Sequence, residues 1–182
     1  LATFVERGGG LFIALGDQVD ADRYQGGLGT LLPRGLHVVK TAAERAVSPE
    51  AAVRFGAVDF THPAFQVFSG DARQALLAAR TFRYFLLNPG SDEVRVVAAY
   101  DDGAPALAEA TRGRGRVIVY TSTVDRDWSD WPIQPSFLPA LQRLAAYLGG
   151  SLDERESRAV RVGDPAPLDV PAGVVLTQAT DP

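Results

Sequence analysis

Acidic and aromatic side chains crowd residues 121–131, directly after an apolar run. The residues there that could do chemistry are Ser122, Asp125, Asp127, Trp128, Asp130 and Trp131. Carboxylate oxygens are the ligands that Ca²⁺ and Mg²⁺ prefer. Ligands of open α/β sheets lie beyond the carboxyl ends of strands, and Asp17 follows an earlier apolar run in the same way. The pattern therefore predicts a ligand-binding or interaction loop that includes Asp17.

The same loop has a structural interpretation, which we favour. Its aspartates do not follow the EF-hand spacing, because the sixth loop position is not glycine and the twelfth is not glutamate. Asp side chains also accept hydrogen bonds from loop N–H groups and begin helices. Trp128 and Trp131 would then cover the end of the sheet as an apolar lid. We predict no metal site, and a small ligand or divalent cation at the loop is the alternative.

A serine nucleophile is the third and weakest hypothesis. Ser122 follows the apolar run, and His62 is one of only two histidines in the chain. The G-x-S-x-G pattern of a nucleophile elbow is absent from the sequence. Pro63 forces an extended backbone at His62, which indicates a turn residue. Because the chain also contains no cysteine, we predict no catalytic residue.

Composition argues against nucleotide cofactors and nucleic-acid partners. The 182 residues carry a net charge of −4, which is unfavourable for binding phosphate backbones. Gly8, Gly9 and Gly10 precede an apolar run, whereas phosphate-binding loops place glycines between a strand and a helix. The basic run at residues 112–116 stands between two predicted strands. We therefore predict no cofactor.

Periodicity predicts an α/β domain over residues 1–150, a charged linker over 151–158 and the start of a β-rich segment over 159–182. The predicted helices are 1–7, a short one that buries Val19, Tyr24 and Leu28, 71–79 capped by Asp71, and 137–148. The predicted strands are 11–16, 36–39, 53–60, and a meander of 94–100, 104–111 and 116–122. We expect strand 11–16 to be buried on both faces. In the last helix the predicted buried stripe is Leu138, Leu141, Leu144, Ala145 and Leu148.

Three stretches resemble a known family. They are LATFVERGGGLFIALGDQVD, THPAFQVFSG and the block from Val97 to Gly150. They are similar to the glutamine-amidotransferase-like domain of bacterial membrane proteins with an aerotolerance-type (BatA) N-terminal region. The resemblance covers about residues 1–150. It implies a class I amidotransferase-like, flavodoxin-like three-layer sandwich with an antiparallel β extension.

The resemblance also implies a parent protein with transmembrane helices, often with a von Willebrand A-type module. The first residue is not methionine, and we expect a fragment of such a parent, located in the cell envelope outside the cytoplasmic membrane. Its partners would be other parent domains. A homo-oligomer is a further expectation, because a fragment of the sheet would leave edge strands unpaired.

Active amidotransferases place a cysteine nucleophile at the turn after a strand. The counterpart here is the end of the strand at Leu15, followed by Gly16 and Asp17, and it holds no cysteine. His62 does not match the catalytic histidine. The resemblance therefore implies an inherited fold without glutamine hydrolysis. We predict a non-catalytic domain with a structural or protein-interaction role.

Overall fold

The structure, a computed structural model, describes residues 1–44, 47–89 and 94–152. The helices are α1 (Ala2–Glu6), α2 (Ala21–Leu28), α3 (Gly70–Leu77) and α4 (Phe137–Leu148). The strands are β1 (Gly10–Ala14), β2 (Leu36–Thr41), β3 (Val53–Val58), β4 (Arg80–Thr81), β5 (Arg83–Leu87), β6 (Arg95–Tyr100), β7 (Pro105–Arg112) and β8 (Gly115–Tyr120). Short 3₁₀ turns lie at Pro49–Ala51 and Trp131–Ile133.

The main sheet has six strands in the order β1-β8-β7-β6-β3-β4, and β2 and β5 form a two-stranded sheet. In the main sheet only β1 and β8 are parallel, and every other neighbouring pair is antiparallel. This mixed sheet with helices confirms the α/β class. It does not confirm the flavodoxin-like sandwich, whose sheet is mainly parallel.

The predicted meander is present as β6, β7 and β8. Glycines with positive φ make its tight turns: Gly103 (φ 87°) after β6 and Gly113 (φ 60°) after β7. Asp102 supports the first turn, because its Oδ1 accepts the N–H of Ala104 at 3.0 Å. The meander lies inside the main sheet, between β1 and β3. The β-branched run of β8 thereby gains strands on both sides.

Strand β1 follows α1 through a glycine turn, as predicted, with Gly8 at φ 113°. The prediction that this strand is fully buried is wrong. All five of its residues are only half-buried, because β1 lies at the end of the sheet and pairs with β8 alone among the described strands. At α1, Leu1 and Phe4 are exposed and Val5 is buried.

Helix α4 has the predicted bounds but buries a different face. Leu144 of the predicted stripe is buried. Leu138 is 60% exposed and Ala145 is also exposed, so these two members of the stripe were predicted wrongly. The buried residues are Ala140, Leu144 and Tyr147. The stripe is rotated because Tyr147 is directed toward a buried carboxylate of β7. Helix α3 begins after Ser69, so Asp71 lies in its first turn and is not its N-cap.

Residues of β8 belong to three apolar clusters. The smallest joins Val117 to Val5 and Leu31, and the two larger ones are the main cores. The larger joins α3, α4 and the strands β3, β6, β7 and β8, and Ile118 and Tyr120 belong to it. The second contains Val119 and packs Tyr24 and Leu28 of α2, with Val19 just before the helix, against the end of β1. Side chains of successive β8 residues therefore serve opposite faces, as strand geometry requires.

A polar contact ties the two-stranded sheet to the main sheet. Asp102, in the turn after β6, accepts a hydrogen bond from the hydroxyl of Tyr84 and lies 2.7 Å from Nζ of Lys40. Burial, together with the Asp102 hydrogen bond, raises the pKa of Tyr84 to about 12. Tyr84 is therefore a neutral donor at physiological pH.

Residues 153–182 lie outside the described part, so the predictions of a linker and a β-rich segment are untested beyond Leu152. Leu152 itself is buried in the larger core. Among residues 1–44, 47–89 and 94–152, none of the helices combines the length and apolar character needed to cross a bilayer.

Candidate functional site

The loop 121–131 joins β8 to α4 and lies over the end of the sheet. Trp131 is fully buried in the larger core, with ring centroids 5.2 Å from Phe55 and 5.3 Å from Tyr120. Its Nε1 donates to Oγ of Ser136 at 3.3 Å. Trp128 is buried in the second core against Phe85 at 5.8 Å. Each tryptophan thus anchors the loop to a different core.

Asp130 is a structural residue of the loop. Its side chain is 3% exposed. Oδ1 accepts the backbone N–H of Arg80, and Oδ2 accepts Nε of the same residue, both at 2.7 Å. The backbone N–H of Asp130 in turn donates to the carbonyl of Arg80 at 2.9 Å. Both carboxylate oxygens are occupied, which removes Asp130 from the candidate ligand set.

Ser122 is buried and is not positioned as a nucleophile. Its Oγ donates to the carbonyl oxygen of Arg83 on β5 at 2.8 Å. Thr121 beside it donates to the carbonyl of Pro105 at 3.0 Å. These hydroxyls satisfy backbone acceptors where β8 leaves the sheet. The loop therefore fixes the position of β5 relative to the main sheet.

A pocket of about 430 Å³ opens beside the loop at the carboxyl ends of β1 and β8; we call it the carboxyl-edge pocket. It is lined by Asp17, Ala43, Glu44, Phe82, Arg83, Asp127 and Trp128. Because β1 and β8 are parallel, the residues that follow them meet at one edge of the sheet. The structure thus brings together two of the sequence-predicted residues, Asp17 and Asp127. Glu44 and Arg83 were not predicted, and they come from segments distant in sequence.

Asp125 lies in a neighbouring cavity of about 250 Å³, which also includes Asp17. One oxygen of Asp125 accepts the N–H of Asp127 at 2.9 Å, a local turn contact of the type expected for Asp in loops. Across residues 1–44, 47–89 and 94–152, no three acidic or histidine side chains lie together so that they could hold a metal ion. The carboxylates border the pocket from several sides and do not converge.

His62 lies in a different cluster from Ser122. It is fully buried, and its Nδ1 accepts the N–H of Ala64 at 3.1 Å. The neutral ring therefore carries its proton on Nε2. Nε2 lies 3.3 Å from Oε2 of Glu109, although the direction of its N–H falls outside hydrogen-bond geometry. His62 therefore contacts Ala64 and Glu109, whereas the hydroxyl of Ser122 is bonded to Arg83, and the two side chains do not form a base–nucleophile pair.

Glu109 is the centre of this buried cluster. Its Oε1 accepts the hydroxyl of Tyr147 on α4 at 2.7 Å, and the Tyr147 ring stacks edge-on against His62 at 4.5 Å. Burial raises the pKa of Glu109, but His62 and the Tyr147 hydroxyl outweigh it, so the pKa lies below its ordinary value. Glu109 was not predicted from the sequence, although a single carboxylate inside an apolar strand is a signal for a buried partner.

The chain matches no protein-family model and no curated protein. It is similar in structure to two solved proteins of Salmonella typhimurium. Cytoplasmic protein STM3548 aligns with a TM-score of 0.62 and 18% identity over 80% of this chain. Cytoplasmic protein STM1381, from strain LT2, aligns with a TM-score of 0.55 and 21% identity over 84% of this chain.

At these identities the likeness concerns the fold alone. The chain spans 57% and 58% of the lengths of these two proteins. Both are described as cytoplasmic proteins, which contradicts the predicted location in the cell envelope. The predicted cell-envelope location is therefore wrong.

Proposed function

We propose that this chain is a non-catalytic amidotransferase-like domain with a structural or protein-interaction role. The observation that carries the proposal is the fixed position of Ser122, whose hydroxyl is held by the carbonyl of Arg83. The absence of cysteine from all 182 residues supports it. The engagement of His62 with Ala64 and Glu109 supports it further, since acyl-transfer chemistry needs a nucleophile and a base in contact.

The finer fold assignment is part of the same proposal. We assign the domain to the flavodoxin-like, class I amidotransferase-like sandwiches because α4 and α2 pack into different cores on β8. The parallel pair β1 and β8 and the ligand-accessible carboxyl ends agree with that assignment. Its partners are other domains of a longer protein.

Active-site labelling tests the absence of catalysis. The full chain is incubated with a serine-reactive fluorophosphonate, and separately with glutamine while ammonia is measured. We expect no labelling and no ammonia above a Ser122→Ala control. Labelling of the parent chain that disappears in Ser122→Ala would refute the proposal, because Ser122 would then be a reactive nucleophile.

A second candidate function is binding of a small organic cation in the carboxyl-edge pocket. Three carboxylates, Asp17, Glu44 and Asp127, border the pocket against one guanidinium, that of Arg83. Phe82 and Trp128 also line it, and aromatic faces attract cations. An organic cation can contact separated carboxylates, whereas a metal ion needs them to converge.

Thermal unfolding distinguishes the two candidates. A ligand that binds only the native state raises the melting temperature. If the pocket binds an organic cation, spermidine should raise the melting temperature more than MgCl₂ or CaCl₂ does. The rise is lost in a Glu44→Gln, Asp127→Asn double variant and is kept in Glu50→Gln, an exposed glutamate outside the pocket. If spermidine raises the melting temperature equally in the parent chain, the double variant and Glu50→Gln, the pocket does not bind the cation.

A further inference from the structure

The outer edge of β1 is an unpaired strand edge. In the parallel pair, odd-numbered residues face β8: the N–H of Leu15 donates to Tyr120, and the carbonyl of Gly9 accepts from Arg116. The N–H and C=O groups of Gly10, Phe12 and Ala14 therefore point away from β8. Within the described residues, no strand pairs with them.

This edge has none of the usual protection against pairing. Natural sheet edges are protected by short strands, lysine or proline, charged residues, or a cover. At the other end of the sheet, β4 has two residues and begins with Arg80. The edge of the smaller sheet carries Lys40 on β2. In contrast β1 has five residues, GLFIA, without a charge or a proline.

An apolar cavity of about 530 Å³ runs along the same edge. It is lined by Phe4, Gly8, Gly9, Gly10, Phe12, Ala145, Leu148 and Gly149. Phe4 belongs to α1, whereas Ala145 and Leu148 belong to α4. The cavity therefore extends between α1 and α4 alongside β1, and Phe4 is 59% exposed there. An added strand would cover this apolar surface.

Charges at the two ends of β1 are complementary to each other. Arg7 stands three residues before Gly10, and Asp17 stands three residues after Ala14. Both side chains are exposed. When two copies of β1 run antiparallel about Phe12, the strand end that follows Arg7 in one copy meets the strand end that precedes Asp17 of the partner subunit. The two-fold symmetry makes this happen twice. A parallel arrangement would place like charges together.

We propose that two copies of this chain associate through β1, antiparallel, so that the main sheets join into one. Phe12 pairs with Phe12 of the partner subunit across the two-fold axis, and Gly10 pairs with Ala14 of the partner subunit. Strand addition supplies main-chain hydrogen bonds, and the Arg7–Asp17 pairs select the antiparallel direction. This association does not depend on the proposed non-catalytic role, but it shares Asp17 with the carboxyl-edge pocket. Arg7 and Ala14 do not line that pocket, so variants at these two residues test the association alone.

Sedimentation velocity on the full chain tests the proposal. We expect the 19.4 kDa chain to sediment with about twice that mass over a concentration series. Ala14→Pro removes an outward N–H while leaving the odd-numbered residues on β8, a position where an edge strand accepts proline. It should give a folded monomer. Far-UV circular dichroism checks that the fold is retained.

Swapping the charges of Arg7 and Asp17 gives a second test of the dimer, because these substitutions leave the residues of β1 unchanged. Arg7→Asp and Asp17→Arg should each weaken the dimer at least tenfold in Kd, and the double variant should restore it. A monomeric parent chain whose Phe12 and Ala14 amides exchange slowly would overturn the proposal, because another segment of the chain would then cover the edge. A dimer insensitive to Ala14→Pro and to both charge variants would also overturn it.

Discussion

At the scale of single residues, the acidic side chains of the loop 121–131 separate into two kinds. Asp130 is buried and uses both oxygens on Arg80, whereas Asp17 and Asp127 border the carboxyl-edge pocket. The sequence alone does not separate them, because Arg80 precedes Asp130 by fifty residues. A contact between distant segments leaves no local pattern in composition or spacing.

Asp130→Ala should lower the free energy of unfolding by about 1–3 kcal/mol, because it leaves the part-buried N–H of Arg80 without its acceptor. Chemical denaturation measures the change. Asp127→Ala, an exposed aspartate of the same loop, is the matched control and should change stability little. Equal effects of the two substitutions would mean that the Arg80 contact does not hold the loop.

The lowered pKa of Asp59 predicts that the stability of the protein depends on pH. The hydrogen bond from the Thr61 hydroxyl is the largest effect on the pKa of Asp59, and it lowers this pKa. Burial raises it and Arg95 lowers it further, so that the pKa falls from 3.8 to about 2. Oδ1 accepts the Thr61 hydroxyl at 2.6 Å, and Oδ2 accepts Nη2 of Arg95 at 2.5 Å. Because the folded state holds the ionised form, the contribution is complete above the ordinary pKa and is lost as pH falls from about 4 to 2.

Asp59→Asn should therefore reduce the loss of stability over that pH interval, measured as melting temperature at each pH. Asp71→Asn, in the exposed first turn of α3, is the control and should keep the parent profile. If Asp59→Asn leaves the slope between pH 4 and 2 unchanged, the carboxylate does not have its lowered pKa.

At the scale of elements, the first and last residues of helices and strands were easier to predict than the side that each element buries. Helix α4 and the meander were predicted to within two residues, because periodicity, glycine turns and β-branched runs are local signals. The buried face of α4 was not, because a tyrosine that hydrogen-bonds a buried carboxylate competes with leucines for the interior. Hydrophobic periodicity counts Leu138 as buried and cannot include the hydrogen bond between Tyr147 and Glu109.

Substitutions on α4 test its corrected orientation. Leu144 is 1% exposed, so Leu144→Ala should lower the free energy of unfolding by about 2–5 kcal/mol through lost burial and a cavity. Leu138→Ala, on the same helix but exposed, should change it by less than about 0.5 kcal/mol. Urea denaturation of the two variants gives the comparison. A similarly large loss in both variants would restore the stripe predicted from the sequence, which contains both leucines.

At the scale of the whole molecule, β8 joins the two cores. Ile118 and Tyr120 belong to the larger core, and Val119 belongs to the second. Because one strand serves both, neither core can lose its packing without disturbing the other. We therefore expect one cooperative unfolding transition.

The two tryptophans report on the two cores separately. Trp131→Phe leaves Trp128 as the probe of the second core, and Trp128→Phe leaves Trp131 as the probe of the larger one. In each variant, the midpoint from fluorescence should equal the midpoint from far-UV circular dichroism. A lower fluorescence midpoint in the Trp131→Phe variant would mean that the second core opens first.

The pairing of β1 with β8 has a consequence for biosynthesis. Gly10 pairs with Arg116, so the apolar strand leaves the ribosome long before its neighbour has been translated. At about 5–20 residues per second, the delay is on the order of 5–20 s. Throughout it the nascent chain presents GLFIA with neither edge covered, and a chaperone that shields short apolar segments would act during this interval.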